Sequence, residues 1–240
     1  MSRDNGEPFP LSEQGLRPGV PGQLAEVLVF LFLIIPSMIL GFFVIRQTTI
    51  GFEIMAFDTI FRDAALVALI VLFLRKNRET LAGIGWRADD VGREVFIGVV
   101  LFPVVFLLTG LLAGILQELG LTAPSETPPS FLVPYDPLRM GLALVLVSVA
   151  ALAEETVFRG YLLLRFMNLG LGRVGAVALS SILFSLGHGY EGSAGVVTVG
   201  VTGAVLAIVY LWRRSLVAPV VIHFLQNLAA FLLLSIRPHL

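Results

Sequence analysis

Apolar runs of about 20 residues, the length that a helix needs to cross a bilayer, recur along this chain and constrain its fold more than any other feature. Composition agrees, since 57% of the 240 residues are hydrophobic and only 14% are charged. A soluble domain carries about 25% charged residues, so this chain has too few polar groups to cover a water-soluble globule. We therefore predict an integral, multi-pass membrane protein.

The order of these runs predicts an all-α fold, a polytopic transmembrane helix bundle of about seven to eight helices. Segments rich in Pro, Gly or charge separate the runs, and such segments end helices. Asp58, Arg62 and Asp63 lie in the second run, so the first half of that run is polar for a span. The predicted spans cover 27–45, 54–74, 95–116, 139–167, 174–186, 194–212 and 216–236.

This pattern divides the chain into three regions. Residues 1–23 mix Pro, Gly and charge without an apolar segment, and they are predicted to form a mobile polar tail. Residues 24–138 hold the amino-terminal transmembrane helices and their connections. Residues 139–236 form a membrane core in which polar residues interrupt apolar helices.

The charged residues predict the orientation in the membrane, and the composition excludes two classes of function. Lys and Arg favour the cytoplasmic side of short loops. The segments placed there, together with the amino terminus, are the connection 75–93, Arg165 with Arg173, and Arg213 with Arg214. The 16 basic and 17 acidic residues balance, which removes the positive footprint of a nucleic-acid-binding protein. Because the chain has no Cys, disulfides and cysteine nucleophiles are excluded.

Ionisable side chains within predicted spans are the first candidates for function, because each costs about 2.5–3.5 kcal/mol in a bilayer and is usually paired. The segment AEETVFRG places Glu154, Glu155 and Arg159 on one helix. Glu155 and Arg159 are four residues apart, with the acid first, and are predicted to pair. Glu154 is rotated by about 100° and has no basic residue one turn later, as expected of a general base. The alternative is that these residues form the wetted end of a helix.

Two further segments carry polar residues to a similar predicted depth. His188 in FSLGHG lies about 21 Å into its helix, and His223 and Asn227 in HFLQN share one helical face. Each segment alone is also compatible with a structural role, since His and Asn link membrane helices through hydrogen bonds. Three helices that bring Glu, His, and His with Asn to one depth favour a functional site.

This set of residues is suited to hydrolysis. The chain has no HExxH motif, no GxSxG motif and no pair of Asp residues in the core of its predicted spans. A carboxylate and an imidazole can activate water, while Asn and a second imidazole stabilise an oxyanion. Glu154, His188 and His223 could instead hold a zinc ion, because two His and one carboxylate form a known catalytic zinc set. Spacing does not decide between these two chemistries.

The segments EETVFR, FSLGH and HFLQN, in this order and on separate helices, resemble the motifs EExxxR, FxxxH and HxxxN. These motifs are typical of the CAAX protease and bacteriocin-processing family (CPBP, also called Abi), intramembrane endopeptidases related to the type II CAAX prenyl protease. The resemblance covers roughly 139–233, and every motif position agrees. It implies that 139–236 form a catalytic core that cleaves a peptide bond near the membrane face.

The resemblance also implies roles for individual residues. Glu154 is similar to the family's catalytic glutamate, and His188 to its partner in activating the water. Glu155 and Arg159 would be the supporting pair. His223 and Asn227 would stabilise the oxyanion, or His223 would bind the metal of a metalloprotease. The expected partners are a peptide or protein substrate, lipidated in the prenyl protease, and membrane lipids, with the active-site cavity open to the cytoplasm.

Two other functions use the same polar pocket. A non-catalytic membrane immunity or peptide-binding protein would not need Glu154 as a base. A small proton-coupled transporter would use the buried Glu and His residues as a relay. Against transport, the chain has no visible inverted repeat and no matching pair of broken helices.

Overall fold

The computed structural model describes residues 19–44, 51–122 and 136–236. These residues are almost entirely helical and contain no strand, which confirms the all-α prediction. The α-helices are α1 (Val20–Val44), α2 (Phe52–Lys76), α3 (Val91–Glu118), α4 (Pro137–Glu155), α5 (Gly172–Leu186), α6 (Gly192–Arg213) and α7 (Val217–Ile236). Short 3₁₀ turns at Ala82–Ile84 and Gly189–Glu191 precede α3 and α6.

The predicted count of seven to eight helices is not confirmed, because the described residues form six continuous helical runs. One run, Pro137–Leu186, joins α4 to α5 across a kink. Between them lie a first π-helical segment, Thr156–Leu162, an α-helical turn, Leu163–Phe166, and a second π-helical segment, Met167–Leu171. Gly170 has a left-handed φ of 97° and kinks this run. The Ser180 hydroxyl then donates to the carbonyl of Phe158 (2.7 Å), so α5 returns beside the first π segment.

Three of the runs are long and apolar enough to cross a membrane, and they support the assignment to integral membrane proteins. They are Val91–Glu118, Pro137–Leu186 and Gly189–Arg213, while Val20–Pro36 and Val217–Leu233 are shorter apolar helices. The prediction of seven spans is therefore not confirmed for the described residues. Large apolar side chains on α3, such as Phe96 and Leu107, are exposed, as expected of a helix that faces lipid.

The structure describes only part of the predicted polar tail and of the Pro-rich segment before the fourth predicted span. Residues 1–18 of the tail and residues 123–135 of that segment lie outside the described residues. Helix α1 begins at Val20, so the last residues of the predicted tail are helical. Helix α4 begins at Pro137, where the Asp136 carboxylate accepts hydrogen bonds from the amides of Leu138 and Arg139, both at 2.9 Å.

A buried polar cluster, which we call the latch cluster, joins α1 and the end of α2 to the run that follows α4. It consists of Glu26, Asn77, Glu79, Tyr161 and Arg165. The Arg165 guanidinium donates to both carboxylate oxygens of Glu79 (2.8 and 2.5 Å) and lies 3.3 Å from Glu26. Glu26 also accepts from Tyr161 (2.5 Å) and Asn77 (2.6 Å).

Arg165 corrects one part of the charge analysis. Its side chain is 1% exposed and is not part of a solvated cytoplasmic connection. Sequence could not reveal this, because its partners Glu26 and Glu79 lie far away along the chain and only the fold brings them together. Positive charge predicts topology when it is solvated, and Arg165 is neutralised inside the protein.

Candidate active site

The predicted pair of Glu155 and Arg159 is present at the junction of α4 and the first π segment. Arg159 Nη1 donates to Glu155 Oε1 at 2.9 Å, and the two side chains are 1% and 0% exposed. The guanidinium carbon lies 4.2 Å from the centre of the Phe184 ring. Gly203 on α6 allows this packing, since a Cβ there would come within 3.2 Å of both Arg159 and Phe184.

His223 on α7 is the residue that this pair holds in place. Its Nδ1 lies 2.8 Å from Glu155 Oε1, and the side chain is 7% exposed. An ionised carboxylate only accepts hydrogen bonds, so Nδ1 carries a proton and donates. In a neutral imidazole the lone pair is then on Nε2, which points the other way.

The Nε2 atom of His223 faces Glu154, at 3.6 Å from its Oε2. The Glu154 side chain is 21% exposed, and within the described residues it makes no hydrogen bond. The two consecutive glutamates therefore differ in their surroundings. Glu155 is buried and committed to Arg159 and His223, while Glu154 is partly open and free to accept a proton.

His188 and Asn227 lie near this centre but do not bond to it. His188 follows α5 and its Nδ1 lies 3.2 Å from the carbonyl oxygen of Phe184. The Phe184 ring packs against both imidazoles, with its centre 4.9 Å from that of His188 and 5.8 Å from that of His223. In the described part of the chain, no hydrogen bond or ion pair joins His188 to Glu154, and Asn227 is half-buried one turn after His223.

A further carboxylate in this region was not predicted from the sequence. Asp63 on α2 is 3% exposed, and α2 packs against α4, the helix that carries Glu154. Arg62 Nε donates to Asp63 Oδ1 at 3.2 Å, while Oδ2 is buried with no partner among the described residues. Asp63 lies in the second predicted run, and the available signal was the polar first half of that run.

The turn between α5 and α6 also borders the site. Glu191 lies three residues after His188 and ends the 3₁₀ turn Gly189–Glu191. The Tyr190 ring centre is 5.9 Å from that of His188. The Gly-rich break GHGYEG thus places Tyr190 beside His188.

No three His, Asp or Glu side chains of the described residues are grouped closely enough to hold a metal ion. Glu154 and His223 are near neighbours, but the third predicted zinc ligand, His188, does not join them. The geometry of these described residues therefore does not match the zinc set.

Residues 136–229 match a protein-family model described as type II CAAX prenyl endopeptidase Rce1-like. The match confirms the family resemblance predicted from the three motifs. All of the motif residues lie within the matched range, whereas α1, α2 and α3 lie outside it. Searches of curated proteins and of solved structures found no match to the chain.

Proposed function

We propose that this integral membrane protein hydrolyses a peptide bond near the membrane face. The premise is that residues 136–229 match the Rce1-like family of type II CAAX prenyl endopeptidases. The observation that carries the proposal is the position of His223 between Glu155, at 2.8 Å, and Glu154, at 3.6 Å. Two consecutive glutamates thereby act on the two nitrogens of one imidazole.

The geometry supports activation of water by Glu154 together with His223. Arg159 and Glu155 orient the imidazole so that the Nε2 lone pair faces Glu154. Because Nε2 and Glu154 Oε2 are 3.6 Å apart, one water molecule could donate a hydrogen bond to each atom. A water held in this way keeps a lone pair on oxygen for attack on a carbonyl carbon.

The proposed reaction transfers one proton through Glu154. The water oxygen bonds to the carbonyl carbon, and its proton passes to the Glu154 carboxylate. The carbon–nitrogen bond then breaks, and Glu154 returns the proton to the leaving amine. The side-chain amide of Asn227, one helical turn after His223, would donate to the negatively charged carbonyl oxygen. His188 would do so only in its protonated form, because its Nδ1–H donates to the Phe184 carbonyl and a neutral ring then has no N–H on Nε2.

This assignment exchanges two roles relative to the family resemblance. The resemblance gives the water-activating role to His188 and the oxyanion role to His223 with Asn227. We assign water activation to His223 because it alone of the two imidazoles lies within 4 Å of Glu154 among the described residues. His188 is separated from Glu154 and is available for the substrate.

The substrate that we propose is a peptide or protein segment at the membrane surface, with prenylation as a feature to be tested. Membrane lipids surround the exposed apolar faces. The basic connections favour a cytoplasmic amino terminus and a cytoplasmic opening of the site.

Zinc dependence can be tested separately from cleavage. The protein would be purified without chelator, and its zinc content measured by mass spectrometry for wild type, Glu154→Gln and His223→Gln. Stoichiometric zinc that is lost in both variants would support a metalloprotease. Cleavage by a metal-free preparation would support the Glu154 and His223 mechanism.

The central experiment compares wild type with Glu154→Gln on matched prenylated and unprenylated peptides, with products identified by mass spectrometry. Glutamine keeps the shape of Glu154 but cannot accept the proton, so cleavage should fall by at least about 10²-fold. Glu118→Gln, an exposed change at the end of α3, is the matched control. A fully active Glu154→Gln variant would remove Glu154 as the base. Peptide binding by wild type and Glu154→Gln alike, with no cleavage by either, would instead support a non-catalytic peptide-binding protein.

A further inference from the structure

The connection between α2 and α3 enters the bundle and contacts the segment that carries the candidate catalytic glutamates. This loop lies outside the family-matched residues 136–229. Ile84 in its 3₁₀ turn is 2% exposed, and Gly85 and Trp86 follow it. The loop is therefore packed inside the protein at this point, although its neighbours on either side are exposed.

Backbone contacts hold the loop against α6 and α7. The Gly85 carbonyl accepts a hydrogen bond from the Leu216 amide (2.9 Å), and the Ile84 carbonyl accepts one from the Tyr210 hydroxyl (3.1 Å). Gly85 has a left-handed φ of 102°, and a Cβ at this position would lie 2.6 Å from the Tyr210 ring. Only glycine meets both requirements.

The first π segment approaches the loop from the other side. A Cβ on Gly160 would lie 3.0 Å from the Ile84 carbonyl oxygen and 2.9 Å from Leu216. The loop backbone is thus enclosed by α6, α7 and the first π segment. Its position relative to these elements is set by close contact on three sides.

One side-chain hydrogen bond links this loop to the glutamates. The Trp86 indole N–H donates to the Thr156 hydroxyl at 3.0 Å, and that hydroxyl donates to the Leu152 carbonyl at 2.6 Å. Thr156 is 2% exposed and directly follows Glu155. The bonded atoms therefore bracket Glu154 and Glu155 on the last turn of α4.

The winding of the chain makes this position sensitive. The α-helix changes to π-helix at Thr156, and π-helical turns are uncommon and concentrate at functional sites. A change of winding rotates the residues that follow relative to those that precede it. Arg159 lies after the change in winding and Glu154 lies before it. The angle around the helix axis between their side chains therefore depends on where the change occurs.

We propose that Trp86 is a positioning residue for the candidate catalytic site, acting through Thr156 to fix the turn that presents Glu154 and Glu155. The inference rests on the proposed peptidase function. It means that the family-matched region does not complete its own active site, since the amino-terminal half supplies a hydrogen bond to it.

The test compares two pairs of variants in the full-length protein. Trp86→Phe keeps the aromatic ring and removes the N–H donor, while Tyr210→Phe removes the other side-chain hydrogen bond to the same loop. We expect Trp86→Phe to lower kcat about tenfold with little change in KM, because small displacements of a catalytic group mainly affect the chemical step. Tyr210→Phe should lower the Tm to a similar extent but leave kcat within about twofold of wild type.

Thr156 provides the second pair and a rescue. Thr156→Val removes the hydroxyl, together with its bond to the Leu152 carbonyl, and should lower kcat at least as much as Trp86→Phe does. Thr156→Ser keeps the hydroxyl and should retain wild-type kcat. The double variant Trp86→Phe with Thr156→Val should be no slower than Thr156→Val alone, because that change already removes the acceptor of the Trp86 N–H.

An unchanged kcat in Trp86→Phe, or an equal loss in Tyr210→Phe, would overturn the positioning role. Failure of wild type to cleave any peptide would instead overturn the proposed function. Hydrogen exchange tests the loop contact by a measurement that does not depend on peptide cleavage. Exchange at 152–160 should rise in Trp86→Phe and not in Tyr210→Phe, and equal exchange in both would overturn the inference.

Discussion

His223 Nδ1 and Glu155 Oε1 lie 2.8 Å apart although 68 positions separate the two residues in the chain. This contact joins α7 to the end of α4 and orients the imidazole towards Glu154. Glu155 can hold the ring because Arg159 balances its charge in a buried setting. Motif residues on two helices thus form a defined acid–imidazole–acid arrangement only when these helices pack.

Replacing His223 by Gln should reduce kcat by at least about 10²-fold, because the base facing Glu154 is lost while a side chain of similar size remains. Steady-state cleavage of one peptide by His223→Gln and His188→Gln would compare the two imidazoles. Near-normal activity in His223→Gln together with complete loss in His188→Gln would restore the role that the resemblance gives to His188.

Replacing Arg159 by Met should destabilise the protein by about 3–5 kcal/mol, since it leaves the Glu155 carboxylate buried without its cation. The measurement is the free energy of unfolding, or the Tm, in one detergent. Adding Glu155→Gln to Arg159→Met removes the unpaired charge and should recover part of the loss. A single variant as stable as wild type would mean that the ion pair is not important for folding.

Arg165→Met should be far more destabilising than Arg173→Met, although both residues were assigned to the same cytoplasmic connection from the sequence. Arg165 is buried against Glu26 and Glu79, and its loss would leave two uncompensated carboxylates. Arg173 is exposed. Tm values that fall equally in the two variants would contradict the prediction that the latch cluster stabilises the fold.

Gly98→Ala should weaken the packing of α3 on α7. A Cβ at Gly98 would lie 2.7 Å from the Val221 Cβ and 3.0 Å from the Ala218 carbonyl oxygen. We expect a loss of about 1–3 kcal/mol, measured by thermal unfolding, because the helices must separate.

Gly110→Ala is the control on the same helix, since nothing lies within 4 Å of a Cβ there. It should be neutral or slightly stabilising, because Ala favours helix by about 1 kcal/mol over Gly. If Gly98→Ala were as stable as Gly110→Ala, close contact between α3 and α7 would not be required.

The helical fold and the identity of the motif residues could be predicted because they depend on local patterns. Apolar runs predicted the helices, and the spacing of Glu155 and Arg159 predicted their pair. Asp63 and the latch cluster were missed because their partners come from distant helices. The contact of His223 with Glu154 was also missed, since helical depth places residues at one level but does not say which side chains meet.

The amino-acid sequence by itself determined that this protein is apolar and helical, and that residues 136–229, which match the Rce1-like family model, carry the three motifs. Those properties follow from composition and from periodicities within single helices. Tertiary structure decided which imidazole faces Glu154, which arginine is solvated and which loop touches the site. Each of these depends on how helices rotate and pack against one another, and that is set by close contacts such as those at Gly85, Gly98 and Gly203.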